Sequence, residues 1–310
     1  MEMGMVGLGR MGGNMVLRLM KRGHRMIAFD RSADAVKDKA SQGAVGAVTV
    51  EEFVKSFQSR PRVMWVMVPA GDPTTQAIDQ LSTLGDPGDI IIDGGNTNWK
   101  IALQDAARVK AKGMHYMDAG TSGGIWGLEF GYCLMVGGEQ EIYDHCLPLL
   151  KDLAPDDGGL VRTGPEGSGH FVKMVHNGVE YGLMQAYAEG FQVMKLSQAF
   201  PGMDMHAIAE AWRSGSVVRS WLLDLIARGL EQDPDLARIK GYVEDTGEGR
   251  WTVEAAIDES VPVPIIAESL FARFRSRMEN TFGDRLLAMM RNQFGGHTVV
   301  TDAAGETVKR

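Results

Sequence analysis

The chain has 310 residues, of which 44% are hydrophobic and 23% are charged, as in ordinary soluble globular proteins. That length allows two domains, each with a core of its own. The formal net charge of −8 argues against nonspecific binding to nucleic acid or to an anionic membrane surface. No apolar run reaches the roughly 18 residues of a membrane span, and the first residues already read as a strand. We therefore expect neither a membrane segment nor a targeting signal.

The sequence contains only two cysteines, Cys133 and Cys146. They are too few for a disulfide framework, and their spacing is not that of metal ligands. We therefore predict a protein of the reducing cytoplasm in which both thiols fill core positions.

Up to about residue 165, short apolar runs alternate with helical stretches. Six runs read as strands, namely "MGMVG", "RMIAFD", "RVMWVMV", "DIIIDGG", "HYMDAG" and "YCLMVGG". Most are nearly continuous hydrophobic runs, which is typical of strands covered by helices on both faces. The pattern predicts a doubly wound α/β domain of the Rossmann type over residues 1–165.

From residue 166 onward, strand-like segments nearly vanish. Helices are predicted at about 167–197, 203–213, 218–231, 252–260, 263–279 and 282–293. The sequence therefore predicts an all-α C-terminal domain over residues 166–310. Its tail, 298–310, is polar and has no helical period, which predicts loose order.

A glycine-rich turn follows the first predicted strand. Gly7, Gly9 and Gly12 form G-x-G-x-x-G, a weak signal alone that gains weight from the preceding strand and the following helix pattern. Such glycines let a pyrophosphate approach backbone N–H groups at a helix N-terminus. We predict a dinucleotide site in which the turn contributes Gly7, Leu8, Gly9, Arg10, Met11 and Gly12.

The second predicted strand ends at Asp30, where a carboxylate accepts hydrogen bonds from the adenosine ribose. An acid there repels a 2′-phosphate, so NAD is favoured over NADP. Arg31 could stack on adenine or pair with a 2′-phosphate, so NADP stays possible. Two later strands end in "VMVPAG" and "DGGN", and these loops are expected near the nicotinamide. The residues concerned are Val68, Pro69, Ala70 and Asn96.

A nicotinamide cofactor implies hydride transfer, which requires a base for the hydroxyl proton. Lys173 is the best candidate, because apolar neighbours on both sides would desolvate its amine and lower its pKa. In a helix, Lys173, His176, Asn177 and Glu180 share one face. The alternative is a lysine that extends into solvent from an amphipathic helix, and the nearby Asn177 and Glu180 disfavour it.

The remaining histidines show no spacing that converges with other ligands. We therefore expect surface or strand-end positions for His24, His115, His145, His170 and His206. His297 is different, because Arg291 and Phe294 lie close to it in "RNQFGGH" and favour a binding role.

Three motifs together, "GLGRMGGNM", "DAGTSGG" (118–124) and "GSGHFVKMVHN" (167–177), resemble the β-hydroxyacid dehydrogenase superfamily. Within it, "DGGNTNW", "KMVHNGVEYGLMQ", "GEGRWT", "LFARF" and "RNQFGGH" are similar to the decarboxylating 6-phosphogluconate dehydrogenase family. The similarity extends over nearly the whole chain, and the chain's length resembles that of the short bacterial form of the family. It implies the pentose phosphate pathway reaction, in which 6-phospho-D-gluconate gives D-ribulose 5-phosphate and CO₂ as NAD(P) is reduced, without a metal ion.

The resemblance also implies residue roles. Lys173 would be the general base, and Glu180 the acid that protonates carbon 1 of the product. Positions that bind substrate or orient the lysine are Asn96, Ser122, Gly123, Gly124, His176 and Asn177. Phosphate-binding positions are Tyr181, Arg273, Arg291 and His297. Arginine forks suit phosphate geometry and would supply the local positive charge that an acidic chain needs.

Two stretches depart from the family pattern. The loop "DTGEGRWT" carries Thr246 and Glu248 where the longer enzymes have a basic residue and a threonine. Its role in phosphate binding is therefore open, and Arg250 could be structural. After "SGG", Ile125 and Trp126 replace the more usual glutamates, which would alter the pocket wall beside the sugar hydroxyls.

The resemblance further implies a homodimer or homotetramer in which Arg291 and His297 complete the site of a partner subunit. Two alternatives remain. Another β-hydroxyacid dehydrogenase, such as a 3-hydroxyisobutyrate-type enzyme, would use Lys173 and Asn177 but not Glu180 or a phosphate clamp. A non-catalytic NAD-binding protein would need none of these residues, so their presence disfavours it.

Overall fold

The computed structural model describes residues 1–300 and the backbone of residues 307–308. It divides into two compact units, Met1–Gly178 and the chain from Val179 onward. The boundary falls within one continuous helix, Ser168–Lys195. This helix begins near the predicted start of the helical half, and the division into domains 1–165 and 166–310 stays a prediction.

An eight-stranded sheet forms the centre of the first unit. Its strands are β1 (Glu2–Val6), β2 (Arg25–Phe29), β3 (Val45–Ala47), β4 (Val63–Val66), β5 (Ile90–Asp93), β6 (His115–Ser122), β7 (Cys133–Gly138) and β8 (Leu160–Gly164). The order across the sheet is β3-β2-β1-β4-β5-β6-β7-β8. Strands β1 to β6 are parallel, whereas β7 runs antiparallel to β6 and parallel to β8. The predicted α/β fold and all six predicted strands are confirmed.

Helices and turns connect the strands. They are α1 (Arg10–Lys21), α2 (Ala33–Ser41), α3 (Val50–Lys55), α4 (Asp72–Leu84), α5 (Trp99–Lys110), a 3₁₀ turn (Gly124–Trp126), α6 (Gly127–Phe130) and α7 (Gln140–Leu153). Successive residues of β5 alternate between two apolar clusters: Ile90 and Ile92 belong to the one that includes α1 and α7, and Ile91 to the one that includes α3, α4 and α5. Because both faces are covered, the strands are hydrophobic throughout.

The second unit is built mainly from helices, which confirms the predicted all-α half. They are the C-terminal part of α8 (Ser168–Lys195), α9 (Met205–Arg213), α10 (Trp221–Gln232), α11 (Glu248–Asp258), α12 (Pro264–Arg275) and α13 (Phe282–Gly295). Side-chain oxygens of Asp204, Ser220 and Thr281 accept an N–H at the starts of α9, α10 and α13. Ala209, Leu223 and Ala227 are fully buried where α9 and α10 pack.

The predicted loose order of the tail falls largely outside the described residues. Within them, β9 (Val299–Val300) pairs antiparallel with β10 (Thr307–Val308). Of the helices that the structure describes, none is long and apolar enough to cross a membrane.

The two cysteines differ in environment. Cys146 is buried, but Cys133 is exposed, so the prediction that both thiols fill the core is wrong for Cys133. It occupies the first position of β7, before the strand enters the core.

Candidate active site

The glycine-rich turn joins β1 to α1. Gly7 has a φ of +98°, and a Cβ on Gly7 would lie 2.3 Å from the carbonyl oxygen of Met67. A Cβ on Gly12 would lie 2.0 Å from the carbonyl oxygen of Gly7. The turn therefore requires glycine at both positions. Within the described part of the chain, a Cβ on Gly9 would meet nothing within 4 Å, and no side chain caps the start of α1. Its N–H groups are thus accessible to an anion such as a pyrophosphate.

Asp30 is held by backbone groups at the end of β2. Its Oδ2 accepts the N–H of Leu8 at 2.7 Å, and its Oδ1 accepts the N–H of Ser32 at 2.8 Å. A cavity of about 790 Å³ opens beside it, a size that suits a ligand of nucleotide dimensions. The predicted cofactor residues that line this cavity are Gly7, Asp30, Arg31, Val68 and Pro69.

The other predicted cofactor residues lie around the same turns: Leu8 is buried, Met11 is half-buried, and Gly9, Arg10 and Ala70 are exposed. Sequence reasoning missed much of the cavity wall. The missed residues include Val50 and Glu51 of α3 and Pro73, Gln76, Ala77 and Gln80 of α4. They carry no motif, because only the packing of these helices beside the sheet makes them neighbours of Asp30.

Asn96 stands in a tight turn after β5. Gly95 donates its N–H to Asp93 Oδ1 at 2.9 Å, and a Cβ on Gly94 would lie 2.2 Å from Trp65 Nε1. Asn96 itself has a φ of +55°, in the left-handed region. Its side-chain oxygen is buried and has no hydrogen-bond partner among the described residues. A strained residue with an unsatisfied buried acceptor is typical of a ligand contact.

The "SGG" motif follows directly from β6. Ser122 ends the strand, and Gly123 and Gly124 have φ values of +131° and +51°, a conformation that favours glycine. Ile125 lies in the 3₁₀ turn with its side chain exposed, and its carbonyl accepts the side-chain amide of Asn14 at 3.4 Å. The departure at Ile125 thus places an exposed apolar residue against α1, next to the glycine-rich turn.

Glycines and a buried carboxylate seat α8 against the sheet. Asp118 of β6 accepts the N–H groups of Gly167 at 2.6 Å and His170 at 2.7 Å, and burial raises its pKa. A Cβ on Gly120 would lie 2.4 Å from Lys173 Cβ, and one on Gly169 would lie 2.5 Å from the carbonyl oxygen of Met135. The glycines around α8 therefore permit backbone-close packing, which holds Lys173 directly against β6.

Lys173 is buried, with 5% of its surface exposed. Its Nζ donates to Asn177 Oδ1 at 2.5 Å, and His176 Nδ1 lies 2.9 Å from the same oxygen. An amide oxygen only accepts hydrogen bonds, so His176 Nδ1 is the donor and Nε2 is an acceptor in the neutral ring. Glu180 is half-buried one turn further along α8. The alternative of a lysine extending into solvent is wrong.

In the second unit, Tyr181 and Arg273 are in direct contact. The Arg273 guanidinium lies 3.4 Å from the centroid of the Tyr181 ring and donates to the carbonyl of Glu244 at 2.8 Å. The Tyr181 hydroxyl accepts the N–H of Thr246 at 3.3 Å. Tyr181 and Arg273, which are both predicted to bind the substrate phosphate, thus lie together beside the loop "DTGEGRWT".

Arg250, the arginine of the "DTGEGRWT" loop, contacts Asp245 and Phe274. Arg250 donates two hydrogen bonds to Asp245, at 2.8 and 3.1 Å, and its guanidinium lies 4.3 Å from the Phe274 ring centroid. Arg277 donates to the same carboxylate at 2.6 Å. The hydrogen bonds and charges of Arg250, and to a smaller extent those of Arg277, hold the pKa of Asp245 well below its usual range. The hydroxyl of Thr246 donates to Glu248 at 3.2 Å.

Arg291 and His297 are exposed at the end of α13. His297 donates its N–H to the carbonyl of Arg291 at 3.4 Å, and its ring lies 6.4 Å from that of Phe294. Within the second unit's described residues, these contacts do not bring them to Tyr181 or Arg273.

The prediction of a surface or strand-end position is wrong for one histidine, His170. His170 is neither at the surface nor at a strand end: it is 2% exposed, and its Nε2 lies 3.2 Å from Asp93 Oδ2. Spacing along the chain gave no signal, because Asp93 lies on another element and meets His170 only after α8 packs on the sheet. In the part of the chain that the structure describes, no three His, Cys, Asp or Glu side chains converge as metal ligands.

Two family models match the chain, the first over its α/β part and the second over its helical part. Residues 2–163 match the model described as the NAD binding domain of 6-phosphogluconate dehydrogenase, and residues 169–284 match its C-terminal domain. The chain belongs to the 6-phosphogluconate dehydrogenase family. The first match ends in β8 and the second begins in the first turn of α8.

Individual relatives agree with membership in the 6-phosphogluconate dehydrogenase family. The NAD(+)-dependent, decarboxylating 6-phosphogluconate dehydrogenase of Haloferax volcanii is 42% identical over 300 residues, which cover 96% of this chain and 98% of the relative. The Plasmodium falciparum 6-phosphogluconate dehydrogenase superposes with a TM-score of 0.83 at 27% identity, covering 99% of this chain and 67% of that one.

The fold is also shared outside the 6-phosphogluconate dehydrogenase family. The 3-hydroxyisobutyrate dehydrogenase of Mycobacterium tuberculosis superposes with a TM-score of 0.70 over 94% of this chain and 99% of that one. The identity is only 21%, so this likeness concerns the fold alone.

Proposed function

We propose that the protein catalyses the oxidative decarboxylation of 6-phospho-D-gluconate to D-ribulose 5-phosphate and CO₂, with NAD as the preferred hydride acceptor and NADP as a possible one. The observation that carries the proposal is the buried Lys173 hydrogen-bonded to Asn177, which also contacts His176, on the helix that also bears Glu180 and Tyr181. It occurs in a member of the 6-phosphogluconate dehydrogenase family, a relative of which is named as NAD(+)-dependent.

The residues of the first unit fit a dinucleotide. The open start of α1 at Gly9 would take the pyrophosphate, and Asp30, fixed by two backbone N–H groups, would accept hydrogen bonds from the adenosine ribose. The negative charge of Asp30 disfavours a 2′-phosphate, whereas Arg31 in the same cavity wall tolerates it. A cofactor held by these residues would supply the acceptor for the hydride that leaves carbon 3 of the substrate.

Lys173 would take the proton of the carbon 3 hydroxyl. A base must be neutral beforehand, and burial favours a neutral amine. The resulting 3-keto acid loses CO₂ because its new carbonyl accepts the electron pair left behind. Lys173, now protonated, would donate to that carbonyl oxygen and stabilise the enediolate. The hydrogen bond to Asn177 aims the amine in both steps.

Glu180 would complete the reaction by protonating carbon 1 of the enediol. The substrate would be held meanwhile by polar groups around Lys173. In this proposal they are Asn96, Ser122, Gly123, Gly124, His176 and Asn177. The buried side-chain oxygen of Asn96, which accepts no hydrogen bond from the residues that the structure describes, supports its inclusion, since a bound hydroxyl would satisfy it.

The substrate phosphate would be bound by Tyr181 and Arg273, with Arg291 and His297 supplied by a partner subunit. The exposure of α13 supports a partner subunit. This helix has no buried residue, and the side chains of Phe282, Leu287 and Phe294 are 72%, 59% and 83% exposed. Such an apolar helix needs a covering surface, and a homodimer or homotetramer would provide one. We place the assembly in the reducing cytoplasm, in keeping with its unpaired cysteines.

A 3-hydroxyisobutyrate-type dehydrogenase is the competing function. It would use Lys173 and Asn177 but would give Glu180 and the Tyr181–Arg273 contact no task. Absorbance of NADH or NADPH with each acid and each cofactor separates the two. We expect turnover with 6-phosphogluconate, faster with NAD than with NADP. Turnover of 3-hydroxyisobutyrate alone would overturn the proposal.

A further inference from the structure

The proposed mechanism leaves one buried polar cluster of the first unit without a task. The cluster consists of Asp93 at the end of β5, Tyr116 and Asp118 on β6, and His170 in the first turn of α8. Their exposed fractions are 0%, 1%, 0% and 2%. Burying two carboxylates and an imidazole is costly unless they are paired and hydrogen-bonded, so their presence calls for a physical reason.

Asp93 is the centre of this cluster. Its Oδ2 accepts the Tyr116 hydroxyl at 3.0 Å and lies 3.2 Å from His170 Nε2, while its Oδ1 accepts the N–H of Gly95 at 2.9 Å. Burial raises the pKa of Asp93, but the nearby His170 and the hydrogen bonds outweigh this effect, so the net shift is downward. The carboxylate form is therefore the one that the cluster stabilises.

His170 is fixed at two points. Its backbone N–H donates to Asp118 Oδ2 at 2.7 Å, and its ring contacts Asp93. Lys173 follows three residues later on the same face of α8. Asn96 follows Asp93 by the same number of residues, in the turn that Asp93 closes through Gly95. The contact between Asp93 and His170 thus joins the segment of Asn96 to the segment of Lys173.

A second contact joins the same two segments. The rings of Trp99, at the start of α5, and Phe171, on α8, meet edge to face with centroids 5.6 Å apart. Polar and aromatic contacts together make the 93–99 segment and the first turn of α8 one packed body.

We propose that Asp93 and His170 form a positioning pair, which sets the separation between Asn96 and Lys173 and thereby the alignment of carbon 3 of the substrate with its base. In this proposal both residues act through the segments they join and not by contact with the reacting atoms. Misplacement by about 1 Å at a reacting centre costs roughly 100-fold in rate, so a loosened pair is expected to affect the chemical step. This inference rests on the proposed role of Lys173 as the general base. The experiment therefore begins by establishing which acid the wild-type enzyme oxidises.

Three variants of the pair test it: His170→Leu, His170→Gln and Asp93→Asn. We expect His170→Leu and Asp93→Asn to lower kcat roughly 10- to 100-fold. The KM for NAD should change less than kcat, because Gly7 and Asp30 are untouched and, of the predicted cofactor residues, only Asn96 lies in the segment that moves. The kinetic isotope effect with substrate deuterated at carbon 3 should rise, since hydride transfer becomes slower than the other steps. His170→Gln, whose side-chain amide is polar and can reach Asp93, should recover part of the rate. His115→Gln, at a half-exposed histidine on β6, serves as the matched control.

The isotope effect separates positioning from mere stability. A variant that only loses folded protein has a lower apparent kcat but the isotope effect of the wild type, and that result would overturn the proposal. So would wild-type kinetics in folded His170→Leu, or failure of all three variants to fold, which would make the pair a folding element. If the wild type oxidises 3-hydroxyisobutyrate instead, the proposed function fails, and the same comparison with that acid still tests the pair.

Discussion

Lys173 and Asn177 lie one turn apart on α8, and Nζ of Lys173 donates to the side-chain oxygen of Asn177 at 2.5 Å. Because His176 Nδ1 lies 2.9 Å from the same oxygen, the amide links the two side chains. A lysine has a long, flexible stem, so this hydrogen bond determines where the amine points. We regard the link as the core of the catalytic arrangement.

Replacing Lys173 with methionine tests the base. We expect kcat to fall roughly 100- to 10,000-fold, the usual contribution of general acid–base catalysis, while NAD still binds, because the residues around Gly7 and Asp30 are unchanged. NADH absorbance and calorimetric titration with NAD measure the two effects. Lys195→Met, at an exposed position of the same helix, should keep the wild-type rate. A Lys173→Met enzyme with more than about a tenth of wild-type kcat would rule out this base.

Glu180→Gln separates the two proton transfers. Oxidation and decarboxylation need Lys173, whereas protonation of carbon 1 needs Glu180, so we expect a rapid burst of NADH followed by turnover about 100-fold slower than in the wild type. Stopped-flow absorbance follows the burst. The control is Glu189→Gln, since Glu189 is exposed on α8 and contacts Gln185. Unchanged steady-state turnover in Glu180→Gln would show that another group protonates the product.

Asp30→Asn tests cofactor selection. The change removes the charge that repels a 2′-phosphate and weakens acceptance of the ribose hydroxyls. We expect KM for NAD to rise about tenfold, the effect of roughly 1.4 kcal/mol, and the preference for NAD over NADP to shrink. Initial rates over a range of each cofactor measure this, with the exposed Asp34→Asn as control. An unchanged ratio of kcat/KM for the two cofactors would contradict the role of Asp30.

Asp245→Asn tests the loop near Tyr181. The folded-state pKa of Asp245 is depressed by Arg250 and Arg277, so its stabilisation is complete above the unfolded pKa of about 3.9 and is lost as pH falls below that value. We expect a loss of roughly 1–3 kcal/mol at pH 7 and a smaller difference from wild type near pH 3. Urea unfolding at both pH values measures it.

The control for that experiment is Asp235→Asn. The ion pair of Asp235 with Lys195 is exposed, so its loss should change the free energy of unfolding by less than about 1 kcal/mol. A difference between Asp245→Asn and wild type that stays constant from pH 7 to pH 3 would contradict the assigned ionisation.

Mixed oligomers test the shared site. Lys173→Ala and Arg291→Ala subunits should each be nearly inactive alone. If Arg291 acts on a partner's substrate, mixing should restore activity, because some sites then combine an intact Lys173 with an intact Arg291. Activity after co-refolding measures this, with each variant refolded alone as control. Mixing that restores no activity would argue for Arg291 acting within its own subunit.

Much of the fold follows from local pattern. The six predicted strands and the helices of the second half are long enough for their periods to be read. Two strands of the eight-stranded sheet escaped prediction for physical reasons: β3 has three residues, "VGA", and β8 carries an arginine and a threonine, so neither forms an apolar run. The two-residue strands β9 and β10 were not predicted either. The antiparallel direction of β7 has no signature in the strand itself.

The candidate site was predictable where motif residues are close in sequence. Lys173, His176 and Asn177 required only a helix, and the glycine turn only a strand followed by a helix. His170 could not be found in this way, because its partner Asp93 is distant along the chain. The cavity wall from α4 was missed for the same reason: Gln76 and Gln80 become cofactor neighbours only through helix packing.

The most direct test of the central claim is the stoichiometry of a single reaction. With 6-phosphogluconate labelled at carbon 1, NADH is followed by absorbance and labelled CO₂ by mass spectrometry in the same vessel. The proposed roles of Lys173 and Glu180 predict equimolar NADH and CO₂, with ribulose 5-phosphate as the remaining product. NADH formed without CO₂, or no NADH at all, would contradict the assignment as a decarboxylating dehydrogenase.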